Sequence, residues 1–121
     1  MRIFKTKSFH RWAKCESVSD VMLKKAVNEI TQGLIDADLG GGLLKKRVAR
    51  QGEGKRSGFR ILIAYRPTVR LIFLFGYAKN ERDNIIQSEL ILLRDFSRHF
   101  LNDSDMEMQV RIKRGELIEV F

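Results

Sequence analysis

The chain has 121 residues, 44% of them hydrophobic and only one of them proline, which predicts a single globular domain over residues 1–121. Its 23 Lys and Arg residues outnumber its 15 Asp and Glu residues, and the resulting net charge of +8 makes polyanions the first class of partner to consider. No window holds the roughly 18 apolar residues that a membrane span needs, and the N-terminus lacks an apolar signal region, so we expect a cytoplasmic protein without a membrane segment.

The N-terminal third of the sequence predicts one strand and two helices. Residues 2–7 are expected to form a short strand, and Ser8 is a candidate N-cap for a brief helix that follows it. Ser19 can cap a second helix, in which apolar residues recur at helical spacing as far as Leu34. This helix should end before the consecutive glycines Gly40–Gly42, which favour a loop.

The middle of the sequence predicts three strands, Leu43–Ala49, Gly58–Arg66 and Arg70–Tyr77. The linkers between them are short, so antiparallel neighbours are expected and the three strands should form a meander. The run LIFLF in the third strand is apolar at every position, which is typical of a central strand covered on both faces.

The C-terminal part predicts two helices and a last strand. Asn80 and Asp83 resemble a capping signal for a long helix that runs to Phe100. Ser104 can cap a shorter helix that stops at Gly115, and the tail GELIEV is expected to form a strand that joins the sheet. The predicted fold class is therefore α+β, with N-terminal helices, a small and mainly antiparallel sheet, a long C-terminal helix and a terminal strand.

Basic residues are concentrated between Leu44 and Arg66, where eight of them accompany one acidic residue. Strand alternation places Lys45 and Arg47 on one face of the first meander strand, and the side chain of Arg60 can join them from the second. Like charges opposite each other on a sheet destabilise it by some tenths of a kcal/mol per pair, which a bound anion would offset. The alternative is a solubilising edge that discourages strand aggregation, with the glycines only turning the hairpin.

Other candidate chemistry is sparse. His10 and His99 are far apart in the sequence without a carboxylate at ligand spacing, so neither a metal site nor a cofactor is expected. Cys15 is the only cysteine, which excludes an intramolecular disulfide and fits a small buried residue. Tyr65 and Tyr77 could stack on bases at strand ends, although aromatic residues at strand spacing are more often part of the core.

Two motifs in the basic region are more specific. The pattern KxRxA…GxGKxxGxR and the junction GxAKNERxNI, with the GELIEV tail, resemble the RelE/ParE superfamily of bacterial toxins and in particular its HigB-like branch. The resemblance covers roughly residues 43–95. It implies a toxin of a type II toxin–antitoxin pair that enters the ribosomal A site and cuts mRNA without a metal. It also implies a cognate antitoxin, expected to be a small helix-turn-helix protein, besides the ribosome and mRNA as partners.

The resemblance also implies site residues. Cleavage of RNA by its own 2′-hydroxyl needs stabilisation of a negatively charged transition state, which fixed Arg and Lys side chains can supply. By correspondence with the motifs, four residues are candidate catalytic residues: Lys45, Arg47, Arg60 and Lys79. Six further basic residues are expected to grip RNA phosphates: Lys46, Arg50, Lys55, Arg56, Arg66 and Arg82.

The sequence departs from the family pattern at two positions. Asn80 stands where many ribosome-dependent members carry a second arginine, and Ile86 stands where they carry a tyrosine, so the general base is unassigned. Two other functions therefore stay open. One is a toxin that poisons DNA gyrase, as the ParE branch does, and the other is a non-catalytic module whose basic groove only binds an antitoxin.

Overall fold

A computed structural model of the chain describes residues 1–50 and 58–121. In these residues four helices and a six-stranded, mostly antiparallel sheet form the predicted α+β fold. No helix in the described ranges is both long enough and apolar enough to cross a membrane. The elements in chain order are β1 (Arg2–Thr6), α1 (Lys7–Cys15), α2 (Asp20–Thr31), β2 (Ala37–Asp38), β3 (Leu43–Val48), β4 (Phe59–Arg66), β5 (Arg70–Ala78), α3 (Gln87–Asn102), α4 (Asp105–Lys113) and β6 (Leu117–Val120).

The sheet is built around the predicted meander. Its spatial order is β2-β3-β4-β5-β1-β6, and β3, β4 and β5 are antiparallel neighbours joined by short connections. β1 adds to β5 in parallel, and β6 closes that edge antiparallel to β1, which confirms that the terminal strand joins the sheet. The parallel pair is possible because the long stretch between β1 and β5 lets the chain return in the same direction.

Helices cover both faces of the sheet. The α1–α2 face packs Phe9 of α1 and Leu23 of α2 against Ile61 of β4. The α3 face packs Leu93 of α3 against Leu62, the next residue of β4. Neighbouring residues of one strand point to opposite faces, so each buried strand supplies two cores, and Leu23, Ile61 and Leu62 are completely buried.

One β-bulge interrupts the pairing of β4 with β5. Leu62 lies opposite Phe75, whereas the next residue, Ile63, lies opposite Phe73. Leu74 is therefore an extra residue in β5, and Leu74 and Phe75 both pack on the α3 face.

The starts of α1 and α2 are determined by the end of β1 and by local hydrogen bonds. Ser19 caps α2 as predicted, and its hydroxyl accepts the N–H of Met22. The predicted cap of α1 is wrong, because β1 already ends at Thr6 and the Thr6 hydroxyl accepts the N–H of Phe9. Leu34 lies beyond the end of α2 and is 53% exposed, so its place in the helical pattern was also wrong.

The start of α3 differs from the sequence prediction, too. The helix begins at Gln87, and the Glu89 carboxylate accepts the N–H of Ile86, so Asn80 and Asp83 are not its caps. The side chains of Lys79 and Arg82 donate to the carbonyls of Asp83 and Asn84, which stabilises a non-helical connection before α3.

The short α4 follows its sequence signals. Ser104 and Glu107 exchange side-chain and backbone hydrogen bonds in a capping box, as the motif predicts. The helix ends before Gly115, whose φ of +75° lies in the left-handed region that glycine adopts without strain.

Candidate functional site

Three residues form a line across the meander on the α3 face, and we call them the cross-strand row. Arg47 of β3 lies directly opposite Arg60 of β4, and Arg60 lies directly opposite Tyr77 of β5. Lys45 is two residues from Arg47 in the same strand and therefore points to the same face. The structure thus brings together three of the four candidate catalytic residues, together with a tyrosine.

The two arginines of the cross-strand row have different surroundings. Arg60 is only 9% exposed, and its Nη1 donates to the carbonyl of Phe59 at 3.5 Å. The side chain of Arg47 is half-exposed, and its Nε donates to Oδ1 of Asp36 at 2.9 Å. A buried guanidinium attracts an anion more strongly than one in water because the local dielectric constant is lower. Arg60 is therefore the strongest candidate for binding a phosphate.

Tyr77 ends the row with an unsatisfied hydroxyl. The residue is 3% exposed, and its hydroxyl has no hydrogen-bond partner in the part of the chain that the structure describes. Burial raises the pKa of Tyr77, and this effect outweighs the nearby charges of Arg60 and Arg82, which lower it. The phenol is therefore neutral near pH 7, and it offers an O–H donor whose isolation costs about 1–3 kcal/mol.

Arg82 covers this end of the row. Its guanidinium carbon lies 5.3 Å from the ring centre of Tyr77 and 5.8 Å from that of Phe75. It donates to the carbonyl of Asn84 and forms an ion pair with Glu89 of α3. The hydrogen bond from Arg82 to the Glu89 carboxylate lowers the pKa of Glu89, and the hydrogen bond from the backbone N–H of Ile86 lowers it further. Arg82 is thus held over two aromatic rings by a carboxylate.

Nearly the whole chain matches the model of a known family. A family model described as the RelE toxin of the RelE/RelB toxin–antitoxin system matches residues 1–120. The chain belongs to the RelE toxin family. It is a toxin of a toxin–antitoxin system, and the family implies an antitoxin as its partner. RelE family toxins generally cleave mRNA.

Lys79, the fourth candidate catalytic residue of this RelE family toxin, lies just beyond β5. Its backbone N–H donates to the carbonyl of Gly58, which keeps it at the same end of the sheet as the cross-strand row. Its Nζ donates to the carbonyl of Asp83 at 3.1 Å and lies 3.4 Å from the Asp83 carboxylate. The side chain is therefore engaged with the connection before α3, although 36% of it is exposed.

The candidate RNA-gripping residues of the toxin are scattered. Lys46 lies on the opposite, α1–α2 face, where it is 4% exposed and pairs with Glu29 of α2 at 3.0 Å. The Arg50 guanidinium lies over the Phe59 ring, 4.8 Å from its centre, on that same face. Arg66 lies at the far end of β4, so the structure brings none of these three beside the cross-strand row.

The remaining candidate RNA-gripping residues are Lys55, Arg56 and Arg82. Lys55 and Arg56 lie outside the residues that the structure describes. Arg82 does lie beside the cross-strand row, as its contact with Tyr77 shows. Within residues 1–50 and 58–121 no three His, Cys, Asp or Glu side chains are grouped to hold a metal ion. The groups that the described site offers are guanidinium and ammonium cations, flanking carboxylates and one neutral phenol.

Tyr77 is the site residue that sequence reasoning undervalued. Its spacing in β5 favours a core position, and the structure does bury it. Its place opposite Arg60 depends on the register between β4 and β5, which no local pattern in the sequence reveals.

Proposed function

We propose that this toxin is a ribosome-dependent endoribonuclease that cuts mRNA and so inhibits translation. The observation that carries the proposal is the cross-strand row, in which a buried arginine lies between a second arginine and a tyrosine whose hydroxyl has no hydrogen-bond partner among the described residues. The two guanidinium groups lie side by side across the strands, so one phosphate could accept charge-assisted hydrogen bonds from both. The mRNA-cleaving activity that is general in the family supports the same conclusion.

The reaction fits the chemistry of the row. The 2′-hydroxyl of a ribose loses its proton to solvent and its oxygen attacks the adjacent phosphorus, so that the P–O2′ bond forms. The P–O5′ bond breaks, and the leaving 5′-oxygen takes a proton from solvent. The products are a 2′,3′-cyclic phosphate and a 5′-hydroxyl. Negative charge grows on the non-bridging phosphate oxygens, and Arg60 and Arg47 are the groups that stabilise it. Lys45, on the same face, adds a further positive charge.

Tyr77 and Arg82 complete the proposed site. Because its raised pKa keeps the Tyr77 phenol protonated, it acts as a hydrogen-bond donor to a phosphate oxygen and not as a base. The hydroxyl is covered in the RNA-free toxin, where Arg82 lies over the ring. A phosphate competes with Glu89 for Arg82, so RNA binding draws the guanidinium away and opens a path to the hydroxyl.

We assign the toxin to the HigB-like branch from its two sequence motifs and its GELIEV tail. The net charge of +8 suits the RNA-lined A site of the ribosome, and the affinity should fall with salt as phosphate contacts release counterions. We infer a cytoplasmic site of action, since translating ribosomes are the target, and a small helix-turn-helix antitoxin.

Cleavage of mRNA on purified translating ribosomes, mapped by primer extension, tests the proposal. Wild-type toxin should cut, and Arg60→Ala should lower the cleavage rate about 100- to 1,000-fold, which is typical for removing one transition-state donor. Arg98→Ala is the matched control, because Arg98 forms an exposed ion pair with Asp95 on α3. Its cleavage rate should stay at the wild-type value.

Three results would contradict the proposal. One is the absence of cleavage on translating ribosomes together with continued growth arrest by Arg60→Ala. The second is continued translation accompanied by DNA damage after induction, which would instead favour gyrase poisoning. The third is harmless overexpression, which would instead favour a non-catalytic antitoxin-binding module.

A further inference from the structure

Asp36 is an acidic residue at the β3 end of the cross-strand row. Its Oδ1 accepts the Nε–H of Arg47 at 2.9 Å, and its side chain is 18% exposed. A guanidinium group has five N–H groups, so four N–H groups of Arg47 remain for a phosphate. None of these four donates to a residue in the described ranges. A phosphate that Arg47 binds would therefore lie within one guanidinium group of the Asp36 carboxylate.

The backbone fixes Asp36 beside the row. The preceding residue, Ile35, packs against the α1–α2 core, and the backbone N–H of Asp36 donates to the carbonyl of Lys45 at 2.9 Å. The following residue, Ala37, lies opposite Lys45 in the pairing of β2 with β3. Because the residues on both sides of Asp36 are held by the fold, its carboxylate is in place before RNA binds. Such prior positioning lowers the barrier of a reaction.

The carboxylate of Asp36 has one open oxygen. Its Oδ2 accepts no hydrogen bond from a residue that the structure describes. Both oxygens of Glu89, at the other end of the row, accept hydrogen bonds from Arg82, and one of them also accepts the N–H of Ile86. The side chain of Asp83 is 97% exposed in the connection before α3. Among the described carboxylates around the row, Asp36 is the one that combines contact with a row arginine and an open oxygen.

The row itself offers only weak proton acceptors. A guanidinium group has no acceptor atom, which applies to Arg47 and Arg60, and the ammonium group of Lys45 has none either. The Tyr77 phenol is neutral, and a neutral phenol is a much weaker base than a carboxylate. A group that takes a proton from RNA must therefore come from beside the row.

The charge of Asp36 reaches the far end of the row. Burial is the largest cause of the raised pKa of Tyr77, and the negative charges of Glu89 and Asp36 raise it further. Salt screens the interaction of separated exposed charges, so this effect indicates that the Asp36 carboxylate is near the ring. Asp36 thus lies beside the space in which the row would hold a phosphate.

We propose that Asp36 is the general base of the cleavage reaction. Its Oδ2 takes the proton of the ribose 2′-hydroxyl while the 2′-oxygen forms its bond to phosphorus. The P–O5′ bond breaks, and the leaving 5′-oxygen takes a proton from solvent. The Asp36 carboxyl group then releases its proton to solvent, which regenerates the carboxylate. A base positioned in this way raises a rate about 100- to 10,000-fold. The inference rests on the nuclease function proposed above.

Single-turnover cleavage on translating ribosomes, with toxin in excess, tests the inference. Asp36→Asn keeps an oxygen that accepts the Nε–H of Arg47 but lacks a carboxylate, so the cleavage rate should fall about 100-fold or more. Binding to ribosomes whose A-site codon contains 2′-deoxyribose, which lacks the attacking hydroxyl, should stay within about twofold of the wild-type value.

Asp38→Asn is the matched control. Asp38 is exposed two residues further along the chain, and its Oδ1 accepts the backbone N–H of Gly40 at 3.0 Å. Asparagine can accept the same hydrogen bond, so this variant also removes one negative charge without removing a contact. Its cleavage rate should equal that of the wild type.

Arg47→Ala distinguishes a base from a residue that only orients Arg47. This variant should weaken binding of the 2′-deoxy mRNA as well as cleavage, because it removes a phosphate contact. Added formate should raise the cleavage rate of Asp36→Ala, since a small carboxylate can accept the proton in place of the missing side chain. Formate should leave the rate of Arg47→Ala unchanged.

Three results would overturn the inference. The first is wild-type cleavage by Asp36→Asn, and the second is a loss of binding in Asp36→Asn that matches the loss in Arg47→Ala. The third is a folded Asp36→Ala variant that formate does not activate, which also keeps the test valid if Asp36→Asn does not fold. In each case wild-type toxin still cuts mRNA, so the nuclease proposal stands, whereas wild-type toxin that does not cut contradicts both proposals.

Discussion

The α1–α2 face and the cross-strand row hold their cations in different ways. On the α1–α2 face, Lys5 and Lys46 are 6% and 4% exposed, and each pairs with a carboxylate of α2, Asp20 at 2.8 Å and Glu29 at 3.0 Å. In the cross-strand row, Arg47 and Arg60 lie directly opposite each other, although like charges repel at this spacing. The first region pairs each cation with a carboxylate of one helix, and the second places two cations where one ligand can bind both.

Lys45 and Lys46 show the difference between the faces most directly. They are neighbours in β3, yet Lys46 is buried against Glu29, while Lys45 forms no ion pair within the described residues. Strand alternation alone separates them. We therefore expect Lys46 to contribute to stability and Lys45 to contribute to binding.

The largest expected effect would separate these roles. Lys46→Ala removes the ion pair between Lys46 and Glu29 and should lower the free energy of unfolding by about 3 kcal/mol, the low end of the range for a broken buried pair. Its cleavage rate per folded molecule should stay near that of the wild type. Lys45→Ala should leave stability within about 0.5 kcal/mol and lower cleavage roughly tenfold. Urea unfolding measures the change in stability, and ribosome cleavage assays measure the change in activity. A stable Lys46→Ala variant that no longer cleaves, together with an unstable Lys45→Ala variant that cleaves normally, would contradict these two roles.

A smaller effect tests the α3 face through Tyr77. Tyr77→Phe removes a hydroxyl that has no partner among the described residues, so the free energy of unfolding should stay constant or rise by up to about 1 kcal/mol. Cleavage should nevertheless fall about tenfold, because the phosphate loses a hydrogen-bond donor. Thermal unfolding measures the stability of Tyr77→Phe, and single-turnover cleavage measures its activity. A destabilised variant with full activity would show that the hydroxyl serves the fold alone.

The smallest effect concerns the ion pair at the edge of the site. Because Arg82 lowers the pKa of Glu89 below its ordinary value of 4.5, the ionised carboxylate stabilises the fold above that pH. This contribution is lost as the pH falls through the lowered pKa. Glu89→Gln should therefore have a slightly lower Tm than wild type at pH 7, and the two values should converge once the pH falls below the lowered pKa of Glu89.

Circular dichroism melts at several pH values measure this convergence. Glu81→Gln is the matched control, since Glu81 is exposed and forms no ion pair with a described residue. A Tm difference for Glu89→Gln that persists unchanged in acid would show that Glu89 acts through packing and not through its charge. Glu89→Gln should lower the stability less than Lys46→Ala does, because the Arg82–Glu89 pair lies at the edge of the site and Lys46 is buried in the core.

Local patterns in the sequence were enough to predict that Lys45, Arg47 and Arg60 lie on one face of the sheet. Side-chain direction alternates along a strand, so Lys45 and Arg47 share a face as soon as β3 is recognised. The strand meander follows equally from short linkers between apolar runs. The distance between two residues of one strand can also be predicted from the sequence, and it separates basic residues that their charge alone would place in one group. Arg66 belongs to β4 like Arg60, but six residues of strand set them about 20 Å apart.

The features that were missed depend on tertiary partners. Burial of Lys46 requires Glu29, a residue of a different element whose approach to β3 is decided by packing. Helix caps were misplaced for a related reason, because Thr6 and Ser8 both lie near the start of α1, and the end of β1 decides between them. The hydroxyl of Tyr77 has no hydrogen-bond partner among the described residues because of its neighbours in the folded chain, which come from other strands.

The extra residue in β5 makes strand length a determinant of chemistry. Because Leu74 and Phe75 both point toward α3, every later residue of the strand is turned over relative to regular alternation from Ile72. Tyr77 faces Arg60 for this reason, while Gly76 takes the opposite side beneath the ring of Trp12. If the same residues paired without the bulge, Tyr77 would lie five residues beyond Ile72 in regular alternation, and the phenol would point into the other core. A local change of pairing, without any change of a site residue, can therefore dismantle the site.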